Sequence, residues 1–168
     1  MAGSNRNKTI KVGKTPPQKV IKIGGNPKEY IRTGANPDSI MQEHPVWRLA
    51  DCDVDESGIW SFYKERLKDV FWDVIFPSLR QFESMTWSDI FIKGKKSNHG
   101  IDPNELNKCA RERLIELRVE AEAIHSLRLG GKIRLYGYMT GAVYNILWYD
   151  DDHGDNSTCV CRSALKHT

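Results

Sequence analysis

The chain contains no apolar run of about 18 residues or more, so nothing in its 168 residues predicts a membrane-spanning helix. The amino-terminal stretch MAGSNRNKTIKVGK also lacks the apolar core of a secretory signal. Only four cysteines are present, Cys52, Cys109, Cys159 and Cys161, which is too few to suggest a disulfide-rich secreted scaffold. We therefore expect a cytoplasmic protein that has no membrane partner and keeps its thiols reduced.

Several signatures of metal and nucleotide chemistry are also missing. The chain has no P-loop, no dinucleotide fingerprint and no HExxH motif. The stretch DCDVDESG begins like a calcium loop, but Glu56 replaces the required glycine and Phe62 the bidentate glutamate. A Cys2His2 zinc site could in principle be formed by His153, Cys159, Cys161 and His167, although their spacing matches no common zinc finger. We predict no metal and no cofactor.

The positive charge is concentrated at the amino terminus. Residues 1–33 contain eight Lys and Arg residues and one acidic residue, a net charge of +7, whereas residues 34–168 contain 17 basic and 21 acidic residues, a net charge of −4. A segment rich in Lys, Gly, Pro and Asn offers too little apolar surface to offset the entropy cost of ordering. We predict a basic, flexible arm over residues 1–44, in which Lys8, Lys11 and Lys14 contact nucleic acid. A solubilising tail is the alternative.

Residues 45–168 predict a folded domain with the order strand, helices, strand, strand, strand. VWRLADCDV alternates like a strand, and apolar residues recur at helical spacing from Trp60 to Ile75. Pro77, which follows, should break this helical region into two helices. Residues 101–123 predict the clearest helix. The remaining pattern predicts an antiparallel meander with turns at Gly130-Gly131 and Thr140-Gly141. We expect an α+β domain in which a small antiparallel sheet packs against helices on one side, with AVYNILWYD as its central strand.

The first turn of the meander predicts which side chains share a face. In a two-residue hairpin at Gly130-Gly131, Leu129 pairs with Lys132, so His125 faces Tyr136 with Arg134 on the same side. A slip of one residue would exchange the two faces.

The run KIRLYGYMTGAVYNILWYDDDH resembles the final hairpin of the RelE/HigB/ParE-type toxins, where a strand carrying an arginine precedes a hydrophobic strand and an aromatic-Asp-x-x-His ending. The matching residues are Arg134, Tyr136, Gly137, Ile146, Trp148, Asp150 and His153. The chain differs in its greater length, its basic arm and Asp151 at a position where proline is common. The resemblance implies a RelE-like fold and a small ribonuclease or gyrase poison. It also implies an antitoxin-like protein partner and messenger RNA on the ribosome as a substrate.

Cleavage of RNA by its own 2′-hydroxyl requires a proton acceptor, a cation for the phosphorane and an acid for the leaving oxygen. Arg, His and Tyr can fill these roles without a metal. We predict Arg134 as the phosphate clamp, His125 or Tyr136 as the proton-transfer group and His153 as a proton donor favoured by its aspartate neighbours. The structural alternatives are a surface arginine, a strand-forming tyrosine and a turn-capping histidine.

The loop KGKKSNHGI adds further cations. The residues predicted to contact nucleic acid in the folded part are Lys93, Lys95, Lys96, His99 and Arg128, although a solvated lysine run is the simpler interpretation. The sequence as a whole favours a toxin-like, metal-independent endoribonuclease that acts on messenger RNA or at the ribosome. Two competing hypotheses are a non-catalytic nucleic-acid- or protein-binding module of phage or plasmid origin and an inactive toxin-like fold that binds an antitoxin-type peptide.

Overall fold

A five-stranded sheet organises the chain, and the computed structural model describes residues 37–154 and 158–161. The strands are β1 (Val46–Arg48), β2 (His99–Ile101), β3 (Ile124–Gly130), β4 (Ile133–Thr140) and β5 (Val143–Asp150). Their order in the sheet is β1-β5-β4-β3-β2. The α+β class is confirmed. The sheet is mixed rather than antiparallel throughout, because β1 runs parallel to β5 while the other pairs are antiparallel.

The helical segments are short. They are α1 (Pro37–Met41), α2 (Lys64–Leu67), a π turn (Phe71–Ile75), α3 (Phe76–Glu83), a second π turn (Asp89–Lys93), a 3-10 turn (Pro103–Glu105) and α4 (Lys108–Glu116). Helix α1 precedes Pro45, the residue at which we expected the folded part to begin. In the described ranges, no helix combines the length and the apolar character needed to cross a bilayer.

Local chemistry explains where two of these helices begin. Pro77 lies in the first turn of α3, where its missing N–H is not needed, so it does not separate α3 from the preceding π turn as we expected. Helix α4 begins after Asn107, whose side-chain oxygen accepts a hydrogen bond from the Ala110 N–H at 2.7 Å. The predicted helix over residues 101–123 is therefore much shorter, and Pro103 belongs to a separate 3-10 turn.

The meander forms as predicted, but its register is shifted by one residue. A bulge between Arg128 and Gly130 places Arg128 opposite Arg134 and Ser126 opposite Tyr136. His125 is consequently paired with Gly137 rather than with Tyr136. Because neighbouring residues point to opposite faces, the expected grouping of His125 with Tyr136 and Arg134 is wrong.

Helical or irregular segments cover both faces of the sheet, not one as we expected. On one face, α4 packs with Trp60, Tyr136, Trp148 and other residues, and we call this the α4 face. On the other, Trp87 packs with Leu135, Tyr149 and the residues around them, and we call this the Trp87 face. Two covered faces explain why most of β5 is apolar: Trp148 belongs to one core and Tyr149 to the other.

Candidate functional site

Polar side chains converge on the α4 face at the end of β5. Tyr136 of β4 is completely buried, and its hydroxyl lies 3.0 Å from Nδ1 of His153 and 3.4 Å from Sγ of Cys161. The backbone N–H of His153 donates to the carbonyl of Lys132 at 3.1 Å. This bond holds the chain after β5 against the β3–β4 turn and brings the imidazole to the tyrosine.

The segment Thr158–Cys161 lies over the same core. The indole N–H of Trp60 donates to the Thr158 carbonyl at 2.7 Å, and the Asn107 N–H donates to the Val160 carbonyl at 3.0 Å. Cys161 forms an isolated β-bridge with Leu106, and the side chain of Val160 is fully buried. The two cysteines therefore approach the sheet from a segment that no periodic sequence pattern marks.

The two thiols and the imidazole form one cluster. Sγ of Cys159 lies 3.4 Å from Nδ1 of His153, and one ligand atom from each of His153, Cys159 and Cys161 lies within 4.8 Å of the other two. Hydrogen bonds from the Cys161 thiol and from His153 lower the pKa of Cys159 to about 4. The same bond to Cys159, together with burial, raises the pKa of Cys161. Of the two thiols, Cys159 is therefore the one whose deprotonation these contacts favour.

The acidic run that begins at the end of β5 is buried at its first residue and exposed at the next two. Asp150 is only 3% exposed, and burial raises its pKa to about 6. Its Oδ1 accepts a hydrogen bond from the Asp152 N–H at 3.1 Å, while Oδ2 has no hydrogen-bond partner among the described residues. Asp151 and Asp152 are exposed and pair with Arg66 at 3.0 Å and Lys132 at 2.7 Å.

Arg134 is also largely buried. Its guanidinium Nη1 donates to the carbonyls of Gly131 and Ile133 at 3.1 and 3.0 Å. Burial and the nearby charge of Arg128 lower its pKa. These contacts hold the β3–β4 turn in its bulged form.

The structure brings three of the four predicted catalytic residues to one face. Arg134, Tyr136 and His153 belong to the α4 face, whereas His125 lies on the Trp87 face, where its ring centroid is 5.0 Å from that of Phe91. Burial lowers the pKa of His125 and raises that of Tyr136. The catalytic roles stay predictions, because a completely buried tyrosine hydroxyl cannot meet a polynucleotide without rearrangement.

The predicted nucleic-acid-binding residues of the folded part lie on β3, on β2 and in the segment that leads into β2. Asn98 is buried, and its Oδ1 accepts a hydrogen bond from the Arg128 N–H at 2.8 Å while its Nδ2 donates to the Ile90 carbonyl at 3.1 Å. A Cβ at Gly94 would collide with that same carbonyl, so the tight loop requires glycine there. Asn98 therefore fixes the lysine loop beside β3, a role that the sequence did not reveal.

The cations of the lysine loop, β2 and β3 form a surface that we call the cationic edge, made of Lys95, Lys96, His99 and Arg128. Lys95, Lys96 and Arg128 are exposed, and none of them forms an ion pair within the part of the chain that the structure describes. Lys93 differs, because it pairs with Asp89 at 2.6 Å. The predicted arm contacts Lys8, Lys11 and Lys14 lie outside the described residues.

The site therefore has two parts: a buried cluster of tyrosine, histidine and thiols on the α4 face, and an exposed cationic edge. Arg134 lies between them, opposite Arg128 on one side and Asp150 on the other. Comparison of the chain with protein-family models, with curated proteins and with solved structures finds no match.

Proposed function

We propose that this domain binds RNA through the cationic edge. The observation that carries the proposal is the pair of hydrogen bonds that the Asn98 side chain makes, one accepted from the Arg128 N–H and one donated to the Ile90 carbonyl, which hold the lysine loop against β3. Exposed Lys and Arg side chains without carboxylate partners are suited to phosphates, since each contact releases condensed counterions. They are concentrated at one edge although residues 34–168 carry a net charge of −4. RNA is the polyanion that the toxin resemblance implies.

Cleavage of the bound RNA, on or off the ribosome, is the second candidate function. The observation in its favour is the 3.0 Å contact between the Tyr136 hydroxyl and His153, with Arg134 two residues along the same strand. Binding is favoured over cleavage because Tyr136 is inaccessible and Arg134 already donates to two backbone carbonyls. An antitoxin-like partner remains part of this second candidate.

The test is a titration of labelled single-stranded RNA with the full chain at several salt concentrations. The variant Lys95→Ala/Lys96→Ala/Arg128→Ala should bind more weakly and should reduce the slope of log affinity against log salt by about 2, at roughly 0.7 per lost phosphate contact. A matched control, Lys64→Ala/Arg80→Ala/Lys108→Ala, removes the same charge from helices α2, α3 and α4. Equal slopes for the two variants would refute the cationic edge.

The same samples separate binding from cleavage. RNA recovered from each titration point is resolved on a denaturing gel, with ribosome-bound and naked messenger treated in parallel. Intact RNA in complexes that wild type forms supports a binding module. Cleavage by wild type that Tyr136→Phe abolishes, without loss of binding, would instead establish the ribonuclease.

A further inference from the structure

Three side chains at the end of β5 have the composition of a metal site. A ring nitrogen of His153 and the sulfurs of Cys159 and Cys161 all lie within 4.8 Å of one another. Nδ1 is the ring nitrogen that contacts Sγ of Cys159. Imidazole nitrogen and thiolate sulfur are the ligands that Zn²⁺ prefers in proteins. Their spacing in the sequence led us to predict no metal, and the geometry changes that expectation.

The distance between Cys159 and His153 agrees with tetrahedral coordination. With zinc–sulfur bonds of about 2.3 Å and zinc–nitrogen bonds of about 2.0–2.1 Å, a sulfur and a nitrogen on one tetrahedral ion are separated by about 3.6 Å. The observed separation of Sγ of Cys159 and Nδ1 of His153 is 3.4 Å. The sulfur and the nitrogen therefore already have the separation that a shared zinc ion requires.

Two neighbours of His153 approach the same ring nitrogen. Nδ1 of His153 is approached both by the Tyr136 hydroxyl at 3.0 Å and by the Cys159 sulfur at 3.4 Å. A ring nitrogen either donates one hydrogen bond or accepts one, so the two contacts compete. A cation at Nδ1 removes the competition, because it takes the nitrogen and the sulfur as ligands and leaves the Tyr136 hydroxyl free to donate to Cys161.

We propose that His153, Cys159 and Cys161 bind one zinc ion through Nδ1 and two thiolates. The ion would join the segment Thr158–Cys161 to the end of β5, with the Tyr136 hydroxyl as a hydrogen-bonding neighbour of the Cys161 sulfur, 3.4 Å away. Three protein ligands leave one tetrahedral position open. His167, the fourth residue of the sequence-based set, lies outside the described residues. This site is independent of RNA binding at the cationic edge.

The experiment uses the full chain, purified under reducing conditions without chelator. Elemental analysis should find one zinc ion per chain, and replacement by Co²⁺ should give thiolate-to-cobalt charge-transfer absorption and the visible bands of a tetrahedral ion. Cys159→Ser and Cys161→Ser should each lose the bound metal. Cys109→Ser is the matched control, because Cys109 is an exposed thiol elsewhere, and it should retain full zinc content.

The wild-type cobalt spectrum keeps the proposal testable even if the serine variants do not fold. Reduced, folded wild type that takes up neither zinc nor cobalt when either is supplied in excess would overturn the proposal. A Cys159–Cys161 disulfide that is recovered from cells in place of the metal would overturn it too. So would a folded Cys159→Ser variant that retains the wild-type zinc content and cobalt spectrum.

Discussion

Replacing Arg113 with methionine should destabilise the domain by about 3–5 kcal/mol, because the change leaves a buried carboxylate without its partner. Arg113 of α4 donates from Nε and Nη2 to the two carboxylate oxygens of Asp53, at 2.7 and 2.6 Å. The Asp53 side chain is 1% exposed, so water cannot replace the lost bonds. Methionine keeps much of the aliphatic stem of arginine, which confines the change to the charge and its hydrogen bonds.

The magnitude comes from this buried pair and not from the other partners of Arg113. Glu116 and Asp55 also contact the guanidinium, but their side chains are 62% and 48% exposed, and exposed pairs contribute little. Asp53 has further structural roles, since its N–H donates to the Leu147 carbonyl and its own carbonyl accepts from the Phe62 N–H. The expected loss corresponds to a fall in Tm of about 6–20 °C for a chain of this size.

The assay is urea unfolding followed by tryptophan fluorescence, with a double-mutant cycle between Arg113→Met and Asp53→Asn. The double variant should recover part of the stability lost in Arg113→Met, because no buried charge then remains unpaired. The control is Arg66→Met, whose partner Asp151 is 54% exposed and whose loss should cost at most about 1 kcal/mol. A loss of stability in Arg113→Met that is no larger than the loss in Arg66→Met would contradict the prediction, as would a double variant that is no more stable than Arg113→Met.

Two further predictions concern the Trp87 face and β4. Burial lowers the pKa of His125 in the folded state. Below the ordinary histidine pKa of about 6.5, the unfolded chain therefore binds a proton at His125 more readily than the folded chain does. The free energy of unfolding should consequently be lower at about pH 5 than at about pH 7.5. His125→Gln should reduce that fall, measured as the difference between urea midpoints at the two pH values, and an unchanged difference would contradict the assignment. Gly137→Ala should cost about 1–3 kcal/mol, because its Cβ would collide with the Asn145 carbonyl and the Tyr144 ring. Thermal melts should show the loss. The control is Gly154→Ala, whose Cβ would meet, among the described residues, only Cε of Lys132 at 4.0 Å, and which should change stability by less than about 0.5 kcal/mol.

The meander was predictable because its signals are local. Gly131 and Gly141 have φ values of +49° and +61°, which glycine adopts readily, and the flanking strands alternate or are continuously apolar. Its register was not predictable, because the bulge after Arg128 depends on contacts made elsewhere. One is the Asn98 side chain, 30 residues away, which accepts from the Arg128 N–H. Another is Arg134, which binds the turn carbonyls.

The candidate site was predictable only in part, because some of its contacts join residues that are far apart in the sequence. Tyr136 and His153 were identified from one contiguous run, and they do meet. Strand β1 lies in the alternating run VWRLADCDV, although it has only three residues. Strand β2, which was not predicted, is too short at three residues to show a period, and Thr158–Cys161 carries no periodic pattern. The pairing of Asp53 with Arg113 spans 60 residues. Such polar contacts depend on the assembled fold, so a single sequence indicates the residues without their partners.

The acidic run after β5 acquires its role from the two covered faces. Because both faces of β5 are packed, its last residue, Asp150, ends inside the domain, and the chain must turn before it can reach solvent. Asp151 and Asp152 lie at that turn, where they pair with Arg66 and Lys132. The turn leaves the N–H of His153 on the Lys132 carbonyl and its imidazole against Tyr136. The acidic run over residues 150–152 therefore positions His153, although its composition suggests a solvent-exposed segment. The proposed zinc site depends on this histidine, and so would any proton transfer at Tyr136.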